Sequence, residues 1–165
     1  MKTLNYGILG IIVALVLLAS AYTAHESQIS TQQKKRGAQS SEITQNGELT
    51  AAQKNILYEA GTEQPYTSPL LEEKRTGTYV TADTGLPVFR SDDKYDSKTG
   101  WPSFTGSIEE NIELREDTFL GYTRIEVVSK DTGAHLGHVF DDGPEPTGKR
   151  FCINGLALKF IPDEN

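Results

Sequence analysis

The sequence predicts a mainly β domain that begins with a short helical piece. Three features predict it. Thr50-Ala51-Ala52-Gln53 has the spacing of a helix capping box and stands just ahead of Ile56 and Leu57. From Thr78 onward, short runs of β-branched and aromatic residues are separated by Gly, Pro and Asp turns. Near the end, Leu156, Leu158 and Phe160 recur at the period of two that puts side chains on one face of a strand. A chain of 165 residues, 36% hydrophobic and 24% charged, supports one modest core with short extensions.

The elements follow in chain order. Gly7 to Leu18 (GILGIIVALVLL) is an uncharged apolar run preceded by Lys2. Ala19-Ser20-Ala21 after it fits the small-x-small pattern of a cleavage site. Extended through Ala24, the run is about long enough to cross a bilayer as a helix. Residues 1–24 therefore read as a cleaved signal peptide or as an uncleaved membrane anchor. Lys34-Lys35-Arg36 beyond the run weakens the orientation signal. Either reading places the rest of the chain outside the cytoplasm: periplasmic, secreted, or tethered and facing outward. Residues 25–47 are rich in Gln, Ser, Thr and charge, too polar to order themselves, and read as a flexible linker.

The helix should run from its cap to about Ala60, burying Ile56 and Leu57, with Gly61 as the stop. Gln64 to Leu71 should be extended. Strands are expected at Thr78–Thr81 and Leu86–Arg90, around an Asp83-Thr84-Gly85 turn. The longest is expected at Phe119–Ser129, and two more at Leu136–Phe140 and Leu156–Ile161.

The formal charge is −7 and no basic run stands in the C-terminal two-thirds, which argues against a nucleic-acid partner. One cysteine, Cys152, excludes an internal disulfide and an all-cysteine metal site. In an exported chain an unpaired cysteine is either a buried passenger or a working thiol. If Arg150-Phe151-Cys152-Ile153-Asn154 is a strand, Phe151 and Ile153 face the core, and Arg150, Cys152 and Asn154 face the other way together. That company argues against a passenger, since a guanidinium nearby favours a thiolate.

His135-Leu136-Gly137-His138 adds two imidazoles, groups that exchange protons near neutral pH. Residues three apart face opposite sides of a flat strand, and Gly137 permits the bend that brings both into one site. The Asp141-Asp142-Gly143-Pro144 turn follows, with carboxylates able to orient a histidine or Arg150. Trp101, between Gly100 and Pro102, reads as a fixed loop residue and an aromatic wall for an apolar ligand group.

Three segments in this order, GWPSF (100–104), GAHLGHVFDDGP (133–144) and TGKRFCINGLAL (147–158), resemble the signature of the methionine sulfoxide reductase B family. The likeness spans residues 48–162. It makes residues 48–165 the catalytic domain. It implies two antiparallel β-sheets with a short helical N-terminal piece, and reduction of the R epimer of methionine sulfoxide, in proteins or free. It implies that Cys152 is the nucleophile and that His135, His138 and Asn154 form the polar network around the sulfoxide. Trp101 would receive the substrate's methyl group and Arg150 would support the thiolate. Phe140 and Asp142 complete the implied substrate-binding set. The sequence departs from the family pattern twice. Where many members bind structural zinc with two CxxC pairs, it has Thr81/Thr84 and Ser129/Thr132, so no structural zinc and no other cofactor is expected. Where many carry a resolving cysteine, it has Thr99. The implied sulfenic acid then needs an outside reductant, such as a thioredoxin-like protein or a small thiol. The implied partners are oxidised methionines of other proteins, and the domain is expected to be a monomer.

Three rivals use the same residues. A cysteine hydrolase would use Cys152, a histidine and Asn154, but the papain-type signature is absent and the cysteine follows the histidines. A zinc site would use His135, His138 and Cys152. A non-catalytic module would bind oxidised methionine or another peptide feature.

Overall fold

The computed structural model describes residues 48–119 and 121–164. The expected targeting segment (1–24) and linker (25–47) lie outside the described residues. Helix α1 spans Ala51–Glu59. Its capping box is formed: Gln53 N–H donates to Thr50 Oγ1 at 3.2 Å, and Thr50 N–H donates to Gln53 Oε1 at 3.0 Å. Ile56 and Leu57 are its buried residues. The stop differs by one position from that expected. Ala60, not Gly61, takes the left-handed conformation (φ 50), and the Gly61 N–H then donates to the Asn55 carbonyl at 3.1 Å.

Nine strands follow among the described residues: β1 (Gly77–Thr81), β2 (Pro87–Arg90), β3 (Lys94–Tyr95), β4 (Ser103–Phe104), β5 (Ile112–Phe119), β6 (Tyr122–Ser129), β7 (His135–Phe140), β8 (Arg150–Ile153) and β9 (Leu158–Pro162). They form two antiparallel sheets, in the orders β2-β1-β9 and β3-β4-β8-β7-β6-β5. The two-sheet fold with one short helix is the architecture the resemblance implies.

The larger sheet has one apolar and one polar face, as strand alternation requires. Phe104, Val127, Leu136, Val139, Phe151 and Ile153 are buried and join one core cluster with Tyr79 and Phe89 of the smaller sheet. Phe89 stacks on Phe104 at 4.5 Å between ring centroids, and Tyr79 meets Phe104 edge-on at 4.9 Å. Such pairs each add about 0.5–1.5 kcal/mol beyond their area burial. Ile56 and Leu57 bring α1 into the same cluster.

Two strand expectations change. The long strand expected at Phe119–Ser129 is the second arm of a β5–β6 hairpin, turned at Gly121 (φ 82). Its partner β5, ELREDT at its centre, is a charged edge strand, and charge at an exposed edge hides the alternation that marks a strand. At the C-terminus, Leu156 lies in a 3-10 turn (Gly155–Ala157), and only Leu158 and Phe160 of the expected apolar face lie in β9.

The four hydroxyl residues at the positions where the resemblance would place zinc ligands form two bonded pairs. Thr81 and Thr84 Oγ1 are 3.0 Å apart, and Ser129 Oγ and Thr132 Oγ1 are 2.8 Å apart. Thr84 Oγ1 donates to Asp131 at 2.7 Å and Thr132 Oγ1 to Asp83 at 3.1 Å. These bonds tie the β1–β2 turn to the β6–β7 turn. The donor set is hydroxyl and carboxylate with no thiolate or imidazole, which does not fit structural zinc.

Candidate active site

Cys152 sits in the middle of the larger sheet. Phe151 and Ile153 on either side are buried, and Arg150 and Cys152 are half-buried on the opposite face. The β4–β8 register sets Cys152 opposite Ser103, and the β7–β8 register sets it opposite His138. His138 is in turn opposite Glu126, and Glu126 opposite Arg115. Residues directly opposed across antiparallel strands share a face, so these groups form one row across the sheet. A neighbouring row on that face includes Phe140 opposite Arg150 and Arg124 opposite Asp117.

His135 joins this face through a β-bulge. The β6–β7 register shifts between Val127 and Val128, pairing Gly137 with Val127 and His135 with Val128. Leu136 is the extra residue and is buried in the core. The two imidazoles end 5.4 Å apart between ring centroids. Gly137 contributes through absence of a side chain, because a Cβ there would press on the Cys152 carbonyl and come within 2.9 Å of Ile153 Cα.

Each histidine has its own carboxylate. His135 Nδ1 lies 2.6 Å from Glu126 Oε1, and its side chain is 5% exposed. His138 Nε2 lies 3.0 Å from Asp117 Oδ2, and Asp117 also pairs with Arg124. Burial pushes the His138 imidazole below its ordinary value of 6.5, against the opposing pull of Asp117. The hydrogen bonds from His138 and Arg124 hold the Asp117 carboxyl below the usual carboxylate range.

Arg150 is fixed by a two-pronged pair with Asp142, Nε to Oδ1 at 2.7 Å and Nη2 to Oδ2 at 2.8 Å. Its guanidinium lies 4.4 Å over the Phe140 ring. Asp142 raises the Arg150 pKa above its ordinary value, with burial opposing and Cys152 contributing less. Of the acidic turn, Asp142 orients Arg150, whereas Asp141 pairs with Lys149.

On the other side of the thiol, Thr99 Oγ1 is 3.8 Å from Cys152 Sγ. Ser97 Oγ bridges Thr99 at 2.8 Å and Ser103 at 2.7 Å. Trp101 is half-buried in its loop, its indole N–H donating to the Glu63 carbonyl at 3.2 Å. Gly100 has φ 95, and a Cβ there would come within 2.6 Å of Pro65 Cβ, so the loop before the indole requires glycine. Strand β8 ends at Ile153, so the alternation expected to carry Asn154 beside Cys152 stops one residue short. Asn154 is buried, its Nδ2 donating to the Leu136 carbonyl at 3.1 Å and its Oδ1 accepting from Glu63 N–H at 3.0 Å.

Sequence reasoning missed Glu126, Asp117, Arg124, Ser97, Ser103, Tyr95 and Glu63. The signal for Arg124 and Glu126 was present, since they alternate with Ile125 and Val127 in a segment expected to be a strand. Asp117 lies in the strand that was not expected. Tyr95 is opposite Ser103, and its buried hydroxyl has no hydrogen-bond partner among the described residues.

Fold and site define a small two-sheet β domain that displays one thiol among two carboxylate-held histidines and a carboxylate-held arginine. The chain belongs to the methionine sulfoxide reductase B family, its residues 49–162 matching the SelR domain. It is 52% identical over 119 residues to the peptide methionine sulfoxide reductase MsrB of Leifsonia xyli subsp. xyli, covering 71% of this chain and 86% of that protein. It is 48% identical over 117 residues to the protein of the same name in Methanosarcina barkeri, covering 70% and 82%. It is 49% identical over 124 residues to the mitochondrial methionine-R-sulfoxide reductase B2 of Rattus norvegicus, covering 70% and 71%. Among the described residues, no helix is long and apolar enough to cross a membrane.

Proposed function

We propose that this chain reduces the R epimer of methionine sulfoxide in oxidised proteins, with Cys152 as the nucleophile. The observation that carries the reading is the register that sets Cys152 directly opposite His138, with His135 at 5.4 Å from His138 and Arg150 on the same face. The Cys152 thiolate adds to the sulfoxide sulfur and forms an S–S bond. His135 or His138 supplies a proton to the sulfoxide oxygen. The resulting hydroxyl passes to the Cys152 sulfur as the S–S bond breaks, and methionine leaves with the electron pair. The methionine sulfur is thereby reduced by two electrons, and Cys152 is oxidised to a sulfenic acid. Trp101 packs on the substrate's methyl group, and Asn154 contributes to the polar surroundings of the oxygen. Arg150, held by Asp142 and stacked on Phe140, supports the thiolate.

Thr99 stands where a resolving cysteine would be, so an outside thiol, such as a thioredoxin-like protein, reduces the sulfenic acid. The hydroxyl and carboxylate bonds among Thr81, Thr84, Ser129, Thr132, Asp83 and Asp131 support a fold that uses no structural zinc. The apolar run at 7–18 and the polar stretch after it support a repair domain that acts outside the cytoplasm, released or tethered.

A stereospecific assay tests the reading. With dithiothreitol as reductant, the purified chain turns over a peptide carrying the R sulfoxide and leaves the S epimer untouched. The Cys152→Ser variant is inactive. Turnover by that variant defeats the proposal and favours a reaction that does not use the thiol.

A further inference from the structure

Glu63 lies outside the row of Cys152 and the histidines, and the mechanism above gives it no part. Its residue is buried, and its carboxylate accepts hydrogen bonds from the backbone N–H groups of Gly155 at 2.5 Å and Leu156 at 3.1 Å. Its own backbone is engaged on both sides. The Glu63 N–H donates to Asn154 Oδ1, and the Glu63 carbonyl accepts from the Trp101 indole. One residue therefore joins the turn after β8, the amide of Asn154 and the single tryptophan. A buried carboxylate that meets two N–H donors makes strong, directional bonds and is costly to displace. The segment around it is fixed by that docking, and its N–H and carbonyl are presented to the two site residues in one geometry.

We propose that Glu63 is a positioning residue for the reaction: its carboxylate, docked on the Gly155–Ala157 turn, locks the backbone groups that orient Asn154 and Trp101. It thereby sets where the sulfoxide oxygen and the methyl group of the substrate lie. This role rests on the sulfoxide-reductase reading above.

The Glu63→Gln variant of the full chain tests it. The substitution keeps the volume but puts an amide NH2 where an oxygen accepted a backbone N–H. Trp101 is the only tryptophan, so the chain's tryptophan fluorescence reports on that ring alone. The expected result is a fall in kcat/KM for a peptide R sulfoxide of about tenfold or more, carried mainly by KM. The Trp101 emission shifts to longer wavelength, while the rate of Cys152 alkylation by iodoacetamide is unchanged. A folded variant with wild-type KM and wild-type emission overturns the proposal. So does a loss confined to kcat and accompanied by slower alkylation, which places the effect at the thiol. If the Gln variant does not fold, Glu63→Asp, which keeps the charge and shortens its reach, carries the same three readings. Wild-type protein is assayed beside it. If wild type does not reduce the R sulfoxide, the functional reading fails, and the Trp101 emission alone then decides the role of Glu63.

Discussion

Replacing Gly137 by alanine puts one methyl group against the backbone of β8. The new Cβ would lie 2.9 Å from Ile153 Cα and closer still to the Cys152 carbonyl oxygen, whereas ordinary contact begins near 3.4 Å. Both neighbours are backbone, so neither can swing away as a flexible side chain would. The strands must separate or slide by at least about 0.5 Å at the pair that sets Cys152 against His138. A displacement of about 1 Å in a reacting group costs about a hundredfold in rate, so the expected loss in kcat/KM is between about tenfold and about a hundredfold. The expected loss in stability is that of overpacking, about 1–3 kcal/mol. The assay is reduction of a peptide R sulfoxide with dithiothreitol, alongside urea unfolding followed by circular dichroism. A Gly137→Ala protein with wild-type kcat/KM refutes the reasoning, because it means that the β7–β8 spacing does not govern the site.

Further predictions concern the surrounding groups. By NMR, His138 titrates below 6.5 in the wild-type protein and lower still in Asp117→Asn, because both influences that raise it come from that carboxylate. The sign for stability follows: a histidine held neutral by burial contributes stability that is complete above its unfolded pKa and lost as pH falls through the window below 6.5. His138→Asn should therefore make the decline in melting temperature on acidification shallower, and an equally steep decline contradicts this. Thr84→Ala removes two hydroxyl contacts of the turn-to-turn tie and should cost about 1 kcal/mol in urea unfolding, while a chelator leaves wild-type stability unchanged. Loss of stability on chelation would show that a metal, not the hydroxyl cluster, holds these turns. Thr50→Ala breaks the α1 capping box and should cost about 1 kcal/mol, with no change in KM.

The legible parts of the fold were those where one physical signal dominated. The Thr50–Gln53 spacing located α1 because a cap depends on four adjacent residues. The alternation of Phe151 and Ile153 with Cys152 told which face the thiol takes, because strand geometry alone decides it. Strand β5 was hidden, since its partners are solvent and one neighbour and its side chains need not be apolar. The carboxylates of the site were harder to read. Glu126 and Asp117 meet the histidines through sheet register, a long-range property that no local pattern of the sequence contains. Glu63 was least legible of all, because it acts across 91 residues of chain through its own backbone. The bulge at Leu136 shows the intermediate case. Gly137 suggested that the strand bends, but the pairing of His135 with Val128 determined that both imidazoles share one face.

The most direct test of the account is a single turnover without reductant. Wild-type protein is mixed with a peptide carrying the R sulfoxide and analysed by mass spectrometry after trapping of sulfenic acid. Oxygen transfer to Cys152 predicts one methionine residue formed in the peptide per chain and one adduct of the trapping reagent on Cys152. Methionine formed with Cys152 unmodified, or the adduct carried by another residue, contradicts the claim that the Cys152 sulfur takes the oxygen.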